Sequence, residues 1–280
     1  MPTVRALWGS THPGPTLVVT ALGLGLGIAV GLEPWRLALL GAAVFAGQVS
    51  IGLSNDAFDA ARDRAVGRVD KPIARGDVPI GLAWSTAFAA LLVALVLSAP
   101  LGWRMLAAHA LFLGLAWAYN GGLKSTGASI VPFLVGFGVF PSLAPLAAAD
   151  PAPASAWASI AGASLGAAVH LTNVLPDLDD DARTGVSGLP HRLGVRASAV
   201  TAAISVLGGA LAVLLGPVGG DIAGVTLLAW VFFGAVAVVA VATVGLAVAR
   251  RPSRVLFRLV MTSALLLAAQ LVASGSDLTV

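Results

Sequence analysis

Two stretches of this chain carry the same spaced oxygen ligands. Residues 55–76 read NDAFDAARDRAVGRVDKPIARG and residues 173–194 read NVLPDLDDDARTGVSGLPHRLG, and both contain N-x3-D-x3-D-x3-G followed by Pro and Gly. Asn55/Asn173, Asp59/Asp177, Asp63/Asp181, Gly67/Gly185, Pro72/Pro190 and Gly76/Gly194 match at one constant offset, while the residues between them are largely unlike. On a helix the i, i+4, i+8 spacing sets an amide and two carboxylates along one face, each rung about 6 Å above the last. Such hard oxygen ligands suit Mg²⁺, which takes one or two protein carboxylates, keeps several waters and favours phosphate oxygens. Two opposed ladders of this kind could hold two or more ions over a shared diphosphate, neutralising its charge and making pyrophosphate a better leaving group from an allylic carbon. Asn55, Asp59, Asp63, Asn173, Asp177 and Asp181 are therefore the predicted metal ligands, and the four aspartates the predicted catalytic set. Asp56, Asp179 and Asp180 lie off the repeated register and are read as solvated or as supports to the ligands.

Basic residues flank both ladders. Arg62, Arg64, Arg68, Lys71 and Arg75 share the first loop, where cations clamp phosphate oxygens by charge-assisted hydrogen bonds. Lys71 and Arg75 frame Pro72 and Gly76 and are the favoured pair, with Arg68 beside them. Lys124 follows Tyr119-Asn120-Gly121-Gly122 in a short loop, where a lone lysine can reach phosphate; Tyr119, the chain's single tyrosine, offers a hydroxyl to the same group. Arg192 follows Pro190 in the second loop and completes the predicted diphosphate contacts.

The elements that must position these residues lie in a membrane. Over 280 residues, 58% are hydrophobic and 10% charged, against roughly 25% charged in ordinary soluble domains, and the mean hydropathy is +0.94. That excludes a soluble reading. Apolar runs between charged or Gly/Pro-rich breaks predict nine spans, near 15–33, 36–55, 79–99, 101–120, 128–148, 154–175, 195–216, 222–249 and 255–274. With nine spans, every Lys and Arg except Arg36 and Arg104 falls on one face, so the positive-inside rule places the N-terminus and the acidic loops in the cytoplasm. The first span runs on from His12-Pro13-Gly14-Pro15 without a cleavage pattern and is read as retained. The high pI of about 10.2 records that orientation rather than nucleic-acid binding. With no cysteine, thiolate metal sites and cysteine nucleophiles are excluded. Gly23-x-Gly25-x-Gly27 sits inside a span and reads as close helix packing, not as a nucleotide loop.

The two N-x3-D-x3-D motifs, their K-P-x3-G and L-P-x3-G tails, and the Tyr119–Lys124 segment resemble the signatures of the UbiA superfamily of intramembrane prenyltransferases. The resemblance covers roughly residues 10–275. It implies an all-α, polytopic membrane bundle of about nine transmembrane helices around a central cavity, formed by residues 1–280 as a single domain of two related halves. It also implies Mg²⁺-dependent transfer of a prenyl group from an isoprenyl diphosphate to a lipophilic, often aromatic acceptor within the bilayer. The family's usual basic residue early in the first helix has no clear match, although His12 lies nearby. An allylic cation needs a water-poor wall, for which Phe112, Trp117, Phe133, Phe137 and Phe140 are available; His109 and His170 read as hydrogen-bonded core histidines. A membrane terpene cyclase would use the same residues and quench the cation internally. A transporter with acidic gates would place its acids at mid-membrane, whereas these cluster at helix ends.

Overall fold

The computed structural model describes residues 2–173, 187–249 and 254–279. Among them the regular structure is helical: α1 (Pro2–Ser10), α2 (Pro13–Ala29), α3 (Pro34–Ala65), α4 (Pro72–Arg75), α5 (Ile80–Ser98), α6 (Trp103–Gly121), α7 (Val131–Val139), α8 (Leu143–Leu146), α9 (Ala156–Asn173), α10 (Leu189–Leu215), α11 (Leu227–Ala249) and α12 (Arg254–Ala273). Prolines open α2, α3, α4 and α10, where a missing N–H costs nothing. Pro141 and Pro145 interrupt the stretch from α7 to α8, so this predicted span is a helix broken by a 3₁₀ turn at Phe140–Ser142.

Successive packing of α2 on α3, α3 on α6, α6 on α7, α7 on α9, α9 on α12 and α12 back on α2 closes a ring, with α5 outside α3 and α10 and α11 outside α9 and α12. The main apolar core joins these helices and includes Leu40, Val44, Phe112, Phe140, Leu171, Val206 and Leu267. The outer helices present the opposite pattern. Phe88, Leu92 and Val96 on α5 and Leu228, Val231, Val238, Val241 and Val248 on α11 are all exposed. In water so much apolar surface would be a liability; against acyl chains it is the ordinary face of a spanning helix. The segments Pro34–Ala65, Ile80–Leu101, Leu189–Leu215 and Leu227–Ala249 are each long and apolar enough to cross a bilayer unaided. The protein is a multi-pass membrane protein.

Two boundaries depart from the hydropathy reading and both matter for the site. α3 does not stop near residue 55 but continues to Ala65. Its 32 residues span about 48 Å, more than the roughly 30 Å of hydrocarbon, and the alanine-rich DAFDAARDRA end keeps the helix going with good propensity after the apolar run has ended. Ahead of the first span, residues 2–10 form the separate helix α1, bent by 63° from α2 across Thr11 and His12.

Candidate active site

The extension of α3 carries the first ladder as three successive rungs. Asp59 and Asp63 are 9% and 4% exposed, and burial of two carboxylates requires nearby positive charge. Lys124 Nζ donates to Asp59 Oδ1, Arg62 Nη2 lies 3.0 Å from Asp59 Oδ2, and the same guanidinium reaches Asp63 at 3.8 Å. Burial pushes the Lys124 ammonium below the usual lysine range, against the pull of Asp59. Asn55 Nδ2 donates to Asn120 Oδ1 at 3.1 Å, and Asn120 in turn donates to the Ile51 carbonyl at 3.0 Å and to Ser54 Oγ at 2.9 Å. With its NH₂ group directed to α6, Asn55 is oriented to offer its carbonyl oxygen beside the two carboxylates. Asn120 was not singled out by sequence reasoning. Its signal was an amide, now 4% exposed, in the last turn of an apolar helix.

The remaining basic candidates divide by partner. Lys71 Nζ donates to Asp56 Oδ1 at 2.6 Å, and its charge also acts on Asp63. Arg68 donates twice to Asp70, at 2.9 and 2.8 Å, and these bonds hold the Asp70 carboxyl down to about 2. Arg75 is paired with Asp77 and donates to the Val69 carbonyl, so it braces the loop. Arg192 Nε donates to the Ser187 carbonyl at 3.2 Å, and its guanidinium lies against Gly127.

In the second copy, Asn173 ends α9 and is exposed; Asp177 and Asp181 lie outside the described residues. The downstream Pro-x3-Gly turn is described and shares with the first a proline start and a positive-φ glycine end. Pro72 and Pro190 each start a helical turn, and each turn ends on a glycine of positive φ, which glycine alone adopts freely: Gly76 (φ +86°, ψ 7°) in the left-handed helical region and Gly194 (φ +74°, ψ 169°) in the extended one, where the helix kinks. That second turn docks on the segment that supplies Lys124. A Cβ on Gly188 would lie 2.5 Å from the Lys124 carbonyl oxygen, and the Leu189 N–H donates to Ser129 Oγ at 2.8 Å. One short stretch, residues 124–129, thus touches both motif copies.

From Tyr119, the residue before Asn120, runs a file of aromatic rings. Tyr119 meets Phe133 edge-on at 5.0 Å between centroids and His170 at 5.7 Å; Phe133 stacks on Phe137 at 6.2 Å; Phe137 leads to Phe140 at 6.3 Å and to Phe112 at 6.0 Å; Phe112 reaches His109 at 6.5 Å. Four of the five predicted cavity aromatics belong to it. Trp117 does not: it packs with Phe58, Trp84 and Phe88, of which Phe58 and Phe88 are exposed. Both histidines bond serines, His170 Nε2 to Ser129 at 3.1 Å and His109 Nδ1 to Ser98 at 2.8 Å.

Three comparisons bear on this arrangement. The sequence matches the UbiA prenyltransferase family over residues 16–273. No curated protein matches it. Among solved structures, a UbiA homologue from Archaeoglobus fulgidus bound to GPP and Mg²⁺ is similar with a TM-score of 0.73 at 13% identity, covering 97% of this chain and 99% of that one. The apo structure of a UbiA homologue from Aeropyrum pernix K1 gives 0.73 at 17% identity, covering 93% and 98%. A structure described as digeranylgeranylglyceryl phosphate synthase in membranes gives 0.72 at 15%, covering 99% and 100%. At such identities the structural likeness establishes the fold. Taken with the family match over most of its length, it means that this chain belongs to the UbiA prenyltransferase family.

Proposed function

We propose that this protein transfers a prenyl group from an isoprenyl diphosphate to a lipophilic acceptor within the membrane, with Mg²⁺ as cofactor. The observation that carries the reading is the first acidic ladder, paired with Lys124 and Arg62 and tied through Asn55 to Asn120, whose chain neighbour Tyr119 begins a continuous aromatic file. A diphosphate headgroup and an apolar tail need those two environments end to end. Relatives of the same fold bound to GPP or DMAPP with Mg²⁺ support the pairing.

The donor set fits a hard divalent ion: two carboxylates one turn apart and an amide oriented by Asn120. Among the described residues no three histidine or carboxylate side chains gather into a closed cage, and Asn173, Asp177 and Asp181 are proposed as the opposing ligands. When bound, Mg²⁺ supplies the positive charge that makes pyrophosphate a competent leaving group. Lys71 and Lys124 donate to phosphate oxygens, with Arg68, Arg75, Arg192 and the Tyr119 hydroxyl as further proposed contacts. The allylic C–O bond breaks with its electron pair on pyrophosphate. The rings of Phe133, Phe137, Phe140 and Phe112 hold the tail and face the allylic cation with their negative quadrupoles while water is excluded. The acceptor attacks C1 and loses a proton. By the positive-inside rule the acidic mouth and the N-terminus face the cytoplasm.

The test is direct. Purified protein in nanodiscs is incubated with radiolabelled isoprenyl diphosphates of several lengths, a panel of aromatic and polyol-lipid acceptors, and Mg²⁺ or EDTA. Mg²⁺-dependent pyrophosphate release with a prenylated product is the expected result. A hydrocarbon formed without acceptor would replace transfer by cyclisation, and no release with any substrate would refute the reading.

A further inference from the structure

Asp56 stands one residue outside the repeated register, yet at 2% exposure it is more enclosed than either ladder aspartate. Its Oδ1 accepts from Lys71 Nζ at 2.6 Å and lies 2.8 Å from His12 Nε2, and the two nitrogens are 3.3 Å apart. Adjacent residues on a helix point about 100° apart. Accordingly Asn55 turns to Asn120 on α6, whereas Asp56 turns to the break between α1 and α2.

That break is pressed against α3. A Cβ on Gly52 would sit 2.3 Å from the Thr11 carbonyl oxygen, so only glycine permits the approach. His12, at φ +54°, is the one non-glycine described residue in the left-handed region, a conformation that surrounding structure must impose. On the other side, Gly9 of α1 lies against Pro72, and Lys71 immediately precedes α4 in an extended conformation. The Asp56 carboxylate is where the break, α3 and the first motif loop all meet.

The sequence adds an independent observation. At the positions of the second copy that correspond to Asp56 and Lys71 stand Val174 and Leu189. The acid and its lysine occur together in one copy and are both replaced by apolar residues in the other, as expected of two side chains that work as a unit. A part-buried lysine bonded only for structure would more cheaply be apolar, as Leu189 is.

We propose that Asp56 is not a metal ligand but a positioning residue, which holds the Lys71 ammonium in place under the α1–α2 break so that it meets the diphosphate already oriented. This rests on the diphosphate reading above. Full-length protein in nanodiscs is titrated with inorganic pyrophosphate in saturating Mg²⁺, alongside turnover, for the wild type, Asp56→Asn, Lys71→Ala and the double variant. Asp56→Asn and Lys71→Ala are each expected to weaken pyrophosphate roughly tenfold, as loss of one charge-assisted contact does. The double variant should fall within about twofold of Lys71→Ala, because the two act as one. The Mg²⁺ concentration for half-maximal turnover should not move in Asp56→Asn.

A raised Mg²⁺ requirement would make Asp56 a ligand and overturn the proposal. So would multiplicative effects in the double variant, or a loss of thermal stability with pyrophosphate affinity intact. Asp56→Glu, which keeps the carboxylate but displaces the ammonium, should fall between wild type and Asp56→Asn and keeps the test decisive if the neutral variant fails to fold. Wild type that binds pyrophosphate but transfers no prenyl group sinks the transfer reading alone, leaving the Asp56–Lys71 coupling still measurable.

Discussion

In the first motif copy the turn from Pro72 to Gly76 is bound in by charge: Lys71 to Asp56, Arg68 to Asp70, Arg75 to Asp77. In the second, the turn from Pro190 to Gly194 likewise opens on proline and closes on a glycine of positive φ, though the chain leaves Gly194 extended (ψ 169°) where it leaves Gly76 at ψ 7°; Leu189 and Leu193 stand where Lys71 and Arg75 would be, and the turn is fastened through a backbone N–H to Ser129. A proline start and a positive-φ glycine end therefore serve two side-chain programmes. Proline and glycine set the shape of the turn; what the turn touches is decided separately. The Asn and Asp rungs recur in both copies, whereas most of the basic residues occur in the first.

The sharpest way to break this comparison is to remove one rung from each copy. Asp59→Ala and Asp177→Ala should each lower turnover by about a thousandfold or more, the scale of losing metal-based charge stabilisation, while the proteins elute as folded species. Activity that survives both changes would end the ladder reading, and a large effect at only one would end the equivalence of the copies. Next in size is Lys124→Met. It leaves the buried Asp59 carboxylate with Arg62 as its cation among the described residues and unpins the segment on which the second copy rests; a destabilisation of about 3 kcal/mol is expected in thermal unfolding, with weaker pyrophosphate binding.

Gly52→Ala comes third. Its methyl group collides with backbone rather than with a flexible side-chain end, so about 1–3 kcal/mol of stability should be lost, with KM for the diphosphate rising as Lys71 shifts. Arg75→Ala should be smaller, changing stability by well under 1 kcal/mol, because its pair with Asp77 is largely exposed. The smallest effect concerns acidity. Asp70 is held below its ordinary value by Arg68, so the pair's modest contribution is complete above about pH 4 and fades only as pH falls toward 2. Amide exchange in residues 66–71, corrected for intrinsic rate, should therefore be flat between pH 5 and 8.

Much of this architecture was legible in the chain. Each predicted apolar run corresponds to helix among the described residues, because twenty-odd consecutive apolar residues have few other ways to satisfy their backbone in lipid. The repeat located the ladder and its basic loop. Hydropathy misplaced the end of α3, since it reports lipid and not helix, and Asp56–Ala65 is helical without being apolar. It also passed over α1, too short to register as a span. Asp56 was read as solvated or supporting because register says which residues match, not which face an intervening residue takes. Asn120 was missed for a similar reason: its hydrogen-bond partner, Asn55, is 65 residues away in the chain.

The overhang of α3 beyond the hydrocarbon has a consequence for traffic. On the proposed reading, the acidic rungs stand at the water boundary while the phenyl rings descend into oil, so the two halves of a cleaved substrate separate by solubility alone. The spent anion can depart into the aqueous phase and the lengthened lipid can slip sideways among acyl chains, neither obstructing the other's exit.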